Sequence, residues 1–193
     1  MLTRLLELDA WLRATLTTIH APPVDHAAWV LSVVGQAGGV WLVLGLVVAS
    51  CAPRRVGQFW QLCLAILVAY LVVDHVLKPF FARARPFDAF FDVRVYGGHP
   101  STFSFPSGHA ANSFAGAFVL SLMVVRLRWA LWALAVAIAA SRVYLGVHYP
   151  LDVLAGALVG VGVGVLVTGG RAWYSERSAG EHASTPGPRV ASP

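Results

Sequence analysis

The stretch Ser141-Arg-Val-Tyr-Leu-Gly-Val-His148-Tyr-Pro-Leu-Asp152 joins two strongly apolar segments and carries an arginine, a histidine and an aspartate. Ionisable side chains beside helices of bilayer length are functional by default, because an arginine at the bilayer centre costs about 2.5 to 3.5 kcal/mol on insertion scales. Arg142, His148 and Asp152 are therefore the first candidates for a functional site.

The spacing within this stretch predicts a helix break. On one continuous helix, Arg142 and His148 would point to different faces. Gly146 is a suitable helix stop, while Pro150 disfavours helical geometry at the residue before it and suits the first position of a new helix. We expect His148 in a short turn and Asp152 in the first turn of the next helix.

His148 and Asp152 in these positions form the pattern of a nucleophile with its orienting group. A carboxylate that accepts a hydrogen bond from one ring nitrogen fixes the tautomer of a histidine and leaves the other nitrogen free to attack. The alternative is structural: Arg142 and Asp152 form an ion pair and His148 caps a helix, since clustered ionisable groups also occur in structural networks.

The composition indicates an integral membrane protein. Of 193 residues, 58% are hydrophobic and 12% charged, and the mean hydropathy is +0.69, whereas soluble domains average about 25% charged residues. Long apolar segments cover 27–50, 59–77, 109–125, a stretch from 129, and 151–169. We predict an all-α bundle of about five transmembrane helices.

The two ends of the chain differ from this apolar core, which is expected to form the transmembrane domain over 26–170. Residues 1–25 place apolar side chains at three- and four-residue intervals with Glu7 and Arg13 between them, which predicts an amphipathic interfacial helix and a turn. If its charges face the bundle interior, this helix is a sixth span. Residues 171–193 are rich in Ser, Gly and Pro, which predicts a disordered cytoplasmic tail.

The net charge of +5 lies largely in short connections. It does not form a basic stripe with interleaved aromatics, so we expect no nucleic acid and favour anionic lipid or a phosphorylated substrate. With five spans, the basic connections at 54–55, 126–128 and 171–177 share one face, which the positive-inside rule assigns to the cytoplasm. The loop 78–105 and the turn 146–150 share the other face, so the candidate site is expected to look outward.

Two further clusters belong to that outward face. Lys78 and Arg85 combine a point charge with a planar five-donor fork, which together suit the oxygens of a phosphate. Ser107 and Gly108 directly precede an apolar helix, so the backbone amides there are expected to point from its N-terminus as an anion site. Gly108 allows close approach of the backbone, and His109 can donate a proton to a leaving oxygen.

These residues resemble the signature blocks of the type 2 phosphatidic acid phosphatase superfamily. The three blocks are matched in order by Lys78-x6-Arg85-Pro86, Pro106-Ser107-Gly108-His109 and Ser141-Arg142-x5-His148-x3-Asp152. The resemblance covers roughly residues 25–170. It implies a membrane lipid phosphatase.

The resemblance also implies a role for each residue. His148 would attack phosphorus and become a phosphohistidine, Asp152 would hold its ring, and His109 would protonate the departing oxygen. The implied phosphate-binding set is Lys78, Arg85, Arg142, the Ser107 side chain, and the amides of Ser107 and Gly108. Such stabilisation of developing charge is usually the largest catalytic contribution. No metal and no other cofactor is expected.

Two alternatives compete with this prediction. In a metal hydrolase, His109, His148 and Asp152 would ligate zinc, but the cationic and amide donors already supply the charge that a metal would bring. In a non-catalytic phospholipid-binding or transport bundle, the same residues would hold phosphate without cleaving it, and His148→Ala would leave binding intact.

The predicted substrate is a lipid phosphate or pyrophosphate whose tail stays in the bilayer. Within the family, the short chain, five spans and outward site are most similar to small bacterial members that convert undecaprenyl pyrophosphate to undecaprenyl phosphate at the plasma membrane. Phosphatidylglycerophosphate, phosphatidic acid and other polyprenyl phosphates are the alternatives. Selectivity is expected in residues 87–104, where Phe87, Phe90, Phe91 and Tyr96 either contact a lipid or seat the loop at the interface. The sequence makes no prediction of oligomeric state.

Overall fold

The structure, a computed structural model, describes residues 2–17, 20–90, 93, 95 and 98–169. Within these residues every element of regular secondary structure is a helix, which confirms the predicted all-α fold. The predicted tail at 171–193 lies outside the described residues, as do Phe91 and Tyr96.

The described part of the chain forms nine α-helices: α1 (Leu2–Leu16), α2 (Pro22–Val34), α3 (Gly39–Cys51), α4 (Val56–Leu71), α5 (Lys78–Phe81), α6 (Pro86–Ala89), α7 (Gly108–Met123), α8 (Arg128–Tyr144) and α9 (Pro150–Thr168). Short 3-10 turns precede α3, α4 and α8, at Gln36–Gly38, Pro53–Arg55 and Val125–Leu127. A π-helical turn, Val72–Leu77, joins α4 to α5.

Three stretches are long and apolar enough to cross a membrane, namely Pro53–Ala89, Val125–Tyr144 and Pro150–Thr168. The pair α2 and α3 is a fourth candidate, with a bend of 50° between its halves. The helix α7 has 16 residues, fewer than the roughly 20 that span a bilayer core. The total of five spanning helices therefore stays a prediction.

The apolar segment at 27–50 is bent, although the sequence analysis treated it as one span. Ala37 and Gly38 have positive φ angles of 49° and 76°, in the left-handed region that interrupts a helix and that glycine adopts without steric cost. The bend separates the partners of the two halves, so that α2 packs on α8 while α3 packs on α4.

The helix α7 lies at the centre of the bundle and packs against α9, α8 and α4. Small residues allow this close packing. A Cβ atom on Gly116 of α7 would lie 2.4 Å from Cγ of Trp41, which is fully buried. Leu62, Leu120 and Ile138 fill the rest of this core and are almost inaccessible. The site-bearing N-terminus of α7 is thus held by three neighbours.

The helix α9 has a glycine at every fourth position, Gly156, Gly160 and Gly164, a repeat that permits close helix packing, and it packs directly against α7. A Cβ atom on Gly156 would lie 2.3 Å from the carbonyl oxygen of Ser107, and one on Gly160 would lie 2.2 Å from the carbonyl oxygen of Ala111. Real side chains do not approach backbone atoms so closely, so the two helices need glycine at both positions.

We expect Gly160→Leu to destabilise the bundle by at least the roughly 1 to 3 kcal/mol typical of overpacking, because the new side chain would collide with the α7 backbone. Thermal unfolding in detergent measures the effect. Gly162→Leu is the matched control, since a Cβ atom on Gly162 meets nothing within 4 Å. Equal stability of the two variants would mean that α7 and α9 do not touch at Gly160.

The N-terminal helix α1 turns only two of its four charged residues inward, and Arg4 and Glu7 are exposed. Asp9 and Arg13 are buried, whereas Leu5, Leu8 and Trp11 are exposed, and the helix contacts α8 and α9. The alternative orientation, with the charges of this helix towards the bundle interior, is therefore found for Asp9 and Arg13 only. With 15 residues, α1 is not one of the candidate spans, and its interfacial placement stays a prediction.

Candidate active site

The turn between α8 and α9 has the predicted geometry. The helix α8 ends at Tyr144, Gly146 has a φ angle of 75°, and α9 begins at Pro150. His148 lies in the turn, where its backbone N–H donates to the carbonyl oxygen of Arg142 at 3.3 Å. The break lets the side chains of Arg142 and His148 face one cavity.

His148 and Asp152 are paired in the interior. Nδ1 of His148 lies 3.4 Å from Oδ2 of Asp152, and the two side chains are 2% and 0% exposed. The same oxygen accepts from the backbone N–H of Tyr149 at 2.9 Å. The other ring nitrogen, Nε2, lies 3.4 Å from Nη1 of Arg85. The carboxylate therefore holds one side of the ring and leaves Nε2 beside the cationic group.

The ring of His148 is held in its neutral form. Burial lowers its pKa to about 4, with a further lowering by the charge of Arg85, while the hydrogen bond to Asp152 acts in the opposite direction. With the proton on Nδ1, a neutral imidazole carries its lone pair on Nε2. At neutral pH the nitrogen beside Arg85 is thus available as a nucleophile.

A cavity of about 490 Å³ opens in front of His148. It is lined by residues from all three sequence blocks, namely Lys78, Arg85, Gly108, His109, Arg142 and His148. They come from α5, the loop after it, the N-terminus of α7, the end of α8 and the following turn. The fold therefore brings residues that are up to 70 positions apart in the sequence together at one end of the bundle.

Protein partners hold Lys78 and Arg85 in place. Nζ of Lys78 lies 2.6 Å from Oδ1 of Asp74 and donates to the hydroxyl of Thr102 at 3.2 Å. Nε of Arg85 donates to the carbonyl oxygen of Thr102 at 2.6 Å, and Nη1 donates to that of Val147 at 2.9 Å. Both cationic groups are almost fully buried, so their positions are set before any ligand binds.

Arg142 and His109 meet at Ser32 of α2. Nη1 of Arg142 donates to the Ser32 hydroxyl, and Nε2 of His109 lies 3.2 Å from the Ser32 carbonyl oxygen. Nε of Arg142 is buried and has no hydrogen-bond partner among the residues that the structure describes. Since an unsatisfied buried donor costs about 1 to 3 kcal/mol, an anion in the cavity would be a favourable partner.

The N-terminus of α7 departs from the prediction at Ser107. The Ser107 side chain caps the helix by accepting from the N–H of Ala110 at 3.4 Å, and its own N–H donates to the carbonyl oxygen of Asp152 at 2.9 Å. In the described structure Ser107 is fully buried and does not line the cavity. Its amide joins α7 to α9 because these helices pack without intervening side chains. The Ser107 amide was expected to be a free donor, and it is not.

Gly108 does line the cavity, as predicted. A Cβ atom there would lie 3.1 Å from Oδ2 of Asp74 and 3.9 Å from Nζ of Lys78. The missing side chain thus leaves the backbone beside Lys78 open to a ligand.

Four polar residues of the cavity wall were not predicted from the sequence: Ser32, Gln36, Thr102 and Asn112. Two of them could have been found, because Ser32 and Asn112 are polar residues inside otherwise apolar helices. Asp74 reaches the cavity from the π-helical turn Val72–Leu77. Such turns occur frequently at functional sites.

Two of the aromatics expected either to contact lipid or to seat the loop have partners within the protein. Phe87 packs edge-on against His99, with ring centroids 4.8 Å apart. The ring of Phe90 lies 4.6 Å from the guanidinium carbon of Arg13. These contacts favour the interpretation that Phe87 and Phe90 seat the loop.

The zinc-ligand set weighed for a metal hydrolase is not assembled. Nε2 of His109 faces the carbonyl oxygen of Ser32. Asp152 lies beside Nδ1 of His148, whereas Arg85 lies beside Nε2. Over the described residues, no group of three or more His, Cys, Asp or Glu side chains is arranged to hold a metal ion.

Comparison with known proteins places this chain in one family. The PAP2 superfamily profile matches residues 58–175. An undecaprenyl-diphosphatase of Sulfolobus acidocaldarius is 37% identical over 63% of this chain and 58% of its own length, so the match spans less than two thirds of that relative. A lipid A 4'-phosphatase of Porphyromonas gingivalis is 29% identical over 84% of this chain and 72% of its own length.

A solved structure shows the same fold. The crystal structure of a transmembrane PAP2-type phosphatidylglycerolphosphate phosphatase from Bacillus subtilis has a TM-score of 0.71 and 25% identity, and covers 90% of this chain and 87% of that one. The three related proteins are all phosphatases, although their names give different lipid substrates. This chain therefore belongs to the PAP2 superfamily.

Proposed function

We propose that the chain hydrolyses lipid phosphates through a phosphohistidine at His148, without a metal ion. The observation that carries this proposal is a single cavity in which three cationic side chains, Lys78, Arg85 and Arg142, converge with a buried neutral histidine. The carboxylate of Asp152 orients that histidine, as a nucleophile requires.

The reaction follows from this geometry in two steps. Nε2 of His148 attacks phosphorus, and the bond from phosphorus to the leaving oxygen breaks as the new nitrogen–phosphorus bond forms. The ring becomes positively charged, which the carboxylate of Asp152 stabilises. With a phosphate anion bound beside it, His109 carries a second ring proton, gives that proton to the leaving oxygen and then takes one back from water. That water attacks the phosphohistidine, releases inorganic phosphate and restores the neutral ring of His148.

Charge stabilisation is the task of the cationic groups. Phosphoryl transfer places developing negative charge on the equatorial oxygens, and fixed donors around them supply most of the catalysis. Lys78 and Arg85 are already anchored by neighbouring oxygens. Arg142 keeps its unsatisfied Nε, and Gly108 leaves room for an oxygen beside its backbone.

We expect Arg142→Ala to lower kcat/KM by about 10² to 10³-fold, the loss typical of one oxyanion donor. Folding should change little, because the side chain has few partners besides Ser32. Phosphate release by detergent-purified protein measures the effect, with the exposed Arg128 as control in Arg128→Ala. A merely halved rate would place the phosphate elsewhere.

The walls of the cavity support a lipid substrate. Trp29 and Val33 of α2 and Tyr70 of α4 line it, and these side chains are 42%, 47% and 42% exposed at the outer surface of the bundle. The cavity wall therefore carries exposed apolar side chains, which we propose to contact the lipid tail. A phosphate can occupy the cationic end while its lipid tail stays in the membrane.

Undecaprenyl pyrophosphate is the lipid that we propose as substrate, with undecaprenyl phosphate as product. The name of the Sulfolobus relative supports it, while the names of other relatives point to lipid A and to phosphatidylglycerolphosphate. Phosphatidic acid and other polyprenyl phosphates offer the same group to the cavity. The described cavity residues that carry charge would hold only the phosphate end, so comparison of the hydrolysis rates of these lipids tests the choice of substrate.

The active site is proposed to lie on the extracytoplasmic side of the plasma membrane. Arg54 and Arg55 lie beside Leu122 and Met123, at the end of α7 opposite His109. A basic connection at that end favours the cytoplasm. In intact cells, a membrane-impermeant lipid phosphate analogue should then be hydrolysed from outside; hydrolysis only after permeabilisation would reverse the orientation.

The test of the proposed function is phosphate release from undecaprenyl pyrophosphate, phosphatidylglycerophosphate and phosphatidic acid, with excess chelator. Turnover that resists the chelator is the expected result, and the preferred lipid identifies the substrate. Activity abolished by the chelator would favour a metal hydrolase. Binding of all three lipids without turnover would favour a non-catalytic bundle.

A further inference from the structure

The guanidinium of Arg83 lies between two buried carboxylates behind the catalytic pair. Nη1 of Arg83 lies 2.6 Å from Oδ1 of Asp152, and Nη2 lies 2.6 Å from Oδ2 of Asp9. Both carboxylate side chains are 0% exposed, and that of Arg83 is 21% exposed. The N-terminal helix α1, the loop after α5 and the start of α9 therefore meet at one side chain.

Asp9 also binds the helix that carries Asp152. Its Oδ1 accepts from the backbone N–H of Leu151 at 2.8 Å, in the first turn of α9, where a negative charge is favourable. Arg83 is further confined because its guanidinium carbon lies 3.9 Å from the ring centroid of Tyr149. Asp9 thus holds both the backbone next to Asp152 and the arginine that binds its carboxylate.

The orientation of the Asp152 carboxylate depends on these contacts. Oδ2 accepts from the Ser104 hydroxyl at 2.5 Å and from the Tyr149 N–H at 2.9 Å, and its distance to Nδ1 of His148 is 3.4 Å. Oδ1 is bound by Arg83. Without that contact the carboxylate could rotate, and the ring that attacks phosphorus would lose its fixed direction. A displacement of about 1 Å can cost about 10²-fold in rate.

We propose that Asp9 and Arg83 are positioning residues for catalysis: Asp9 fixes Arg83, and Arg83 fixes the Asp152 carboxylate against His148. This inference rests on the proposed phosphohistidine reaction and extends its machinery to α1, outside the three motif blocks. In the described structure neither Asp9 nor Arg83 lines the cavity, so both act through Asp152 and not on the phosphate.

A purely structural role makes a different prediction. If the network only fastens α1 to the bundle, removal of one partner of a buried ion pair lowers the stability of the protein and leaves the rate of the folded enzyme unchanged. A positioning role lowers kcat while the affinity for phosphate is kept, because Lys78, Arg85 and Arg142 are untouched.

The test uses Asp9→Asn and Arg83→Lys in the full-length protein. Asn keeps the shape of the side chain but not its charge, and Lys keeps the charge but cannot bridge two carboxylates with a planar fork. We expect each to lower kcat by about 10 to 100-fold, as the loss of an orienting partner typically does, with unchanged KM and unchanged inhibition by orthovanadate. The double variant should lose little more than the worse single one, because coupled groups are not additive.

Glu7→Gln is the matched control, since Glu7 lies on the same helix and is exposed; it should keep wild-type kcat. Wild-type kcat in Asp9→Asn or in Arg83→Lys would overturn the inference. So would a parallel loss of kcat and orthovanadate inhibition, because the whole site would then be distorted. A wild-type protein that hydrolyses none of the lipid phosphates would overturn the proposed function. The positioning role would then be overturned as well, because it depends on that reaction.

Discussion

His148→Ala is expected to abolish hydrolysis, with a fall in kcat of about 10⁶-fold, the loss found when a nucleophile is removed from catalytic groups that act as a unit. The reason is chemical, since no other described side chain in the cavity offers an uncharged ring nitrogen backed by a carboxylate. Phosphate release from the lipid substrate measures the rate.

A second measurement identifies the intermediate. Wild-type protein, quenched in alkali during turnover of labelled substrate, should carry phosphate on histidine, which survives alkali and is lost in acid. His148→Ala should carry none. The exposed His26 provides the control, and His26→Ala should keep the label. Label remaining in His148→Ala would move the nucleophile to another residue, with His109 the first to examine.

Asp152→Asn is expected to lower kcat by about 10⁴-fold, as in other enzymes whose catalytic histidine is oriented by a carboxylate. An amide can offer an N–H to Nδ1 of His148, which favours the tautomer with its proton on Nε2. The attacking nitrogen then has no free lone pair. KM should change little, because in the described structure Asp152 does not line the cavity.

Loss of fold must be separated from loss of catalysis in this variant. Asp152 is fully buried and paired with Arg83, and breaking a buried pair typically costs about 3 to 5 kcal/mol. Rates are therefore expressed per orthovanadate-binding site. Asp88→Asn, at an exposed carboxylate on α6, should behave like wild type. A kcat for Asp152→Asn close to the wild-type value would mean that another group orients His148.

Local features of the site could be predicted from the sequence. Gly146 and Pro150 act on their immediate neighbours, so the turn that carries His148 and the first-turn position of Asp152 followed from backbone preferences alone. The apolar segments and the glycine repeat of α9 were equally readable, because hydropathy and side-chain size are properties of single residues. The convergence of Lys78, Arg85, His109 and Arg142 followed from counting helices between the blocks.

Other features depend on contacts between distant segments. The amide of Ser107 looked free because a helix N-terminus has unpaired donors, but the close packing of α7 on α9 brings the carbonyl oxygen of Asp152 to it. The apolar segment at 27–50 contains glycines that permit either a straight or a bent helix. Its packing partners, α8 and α4, are defined only when the bundle has formed.

The sequence by itself determined the helical membrane fold and the three blocks of charged and polar residues, because these depend on residue types and short spacings. Only the tertiary structure decided which way α1 faces. Asp9 is 74 positions from Arg83 and 142 from Leu151 along the chain. A buried carboxylate needs charged or N–H partners, and folding alone brings those partners to it.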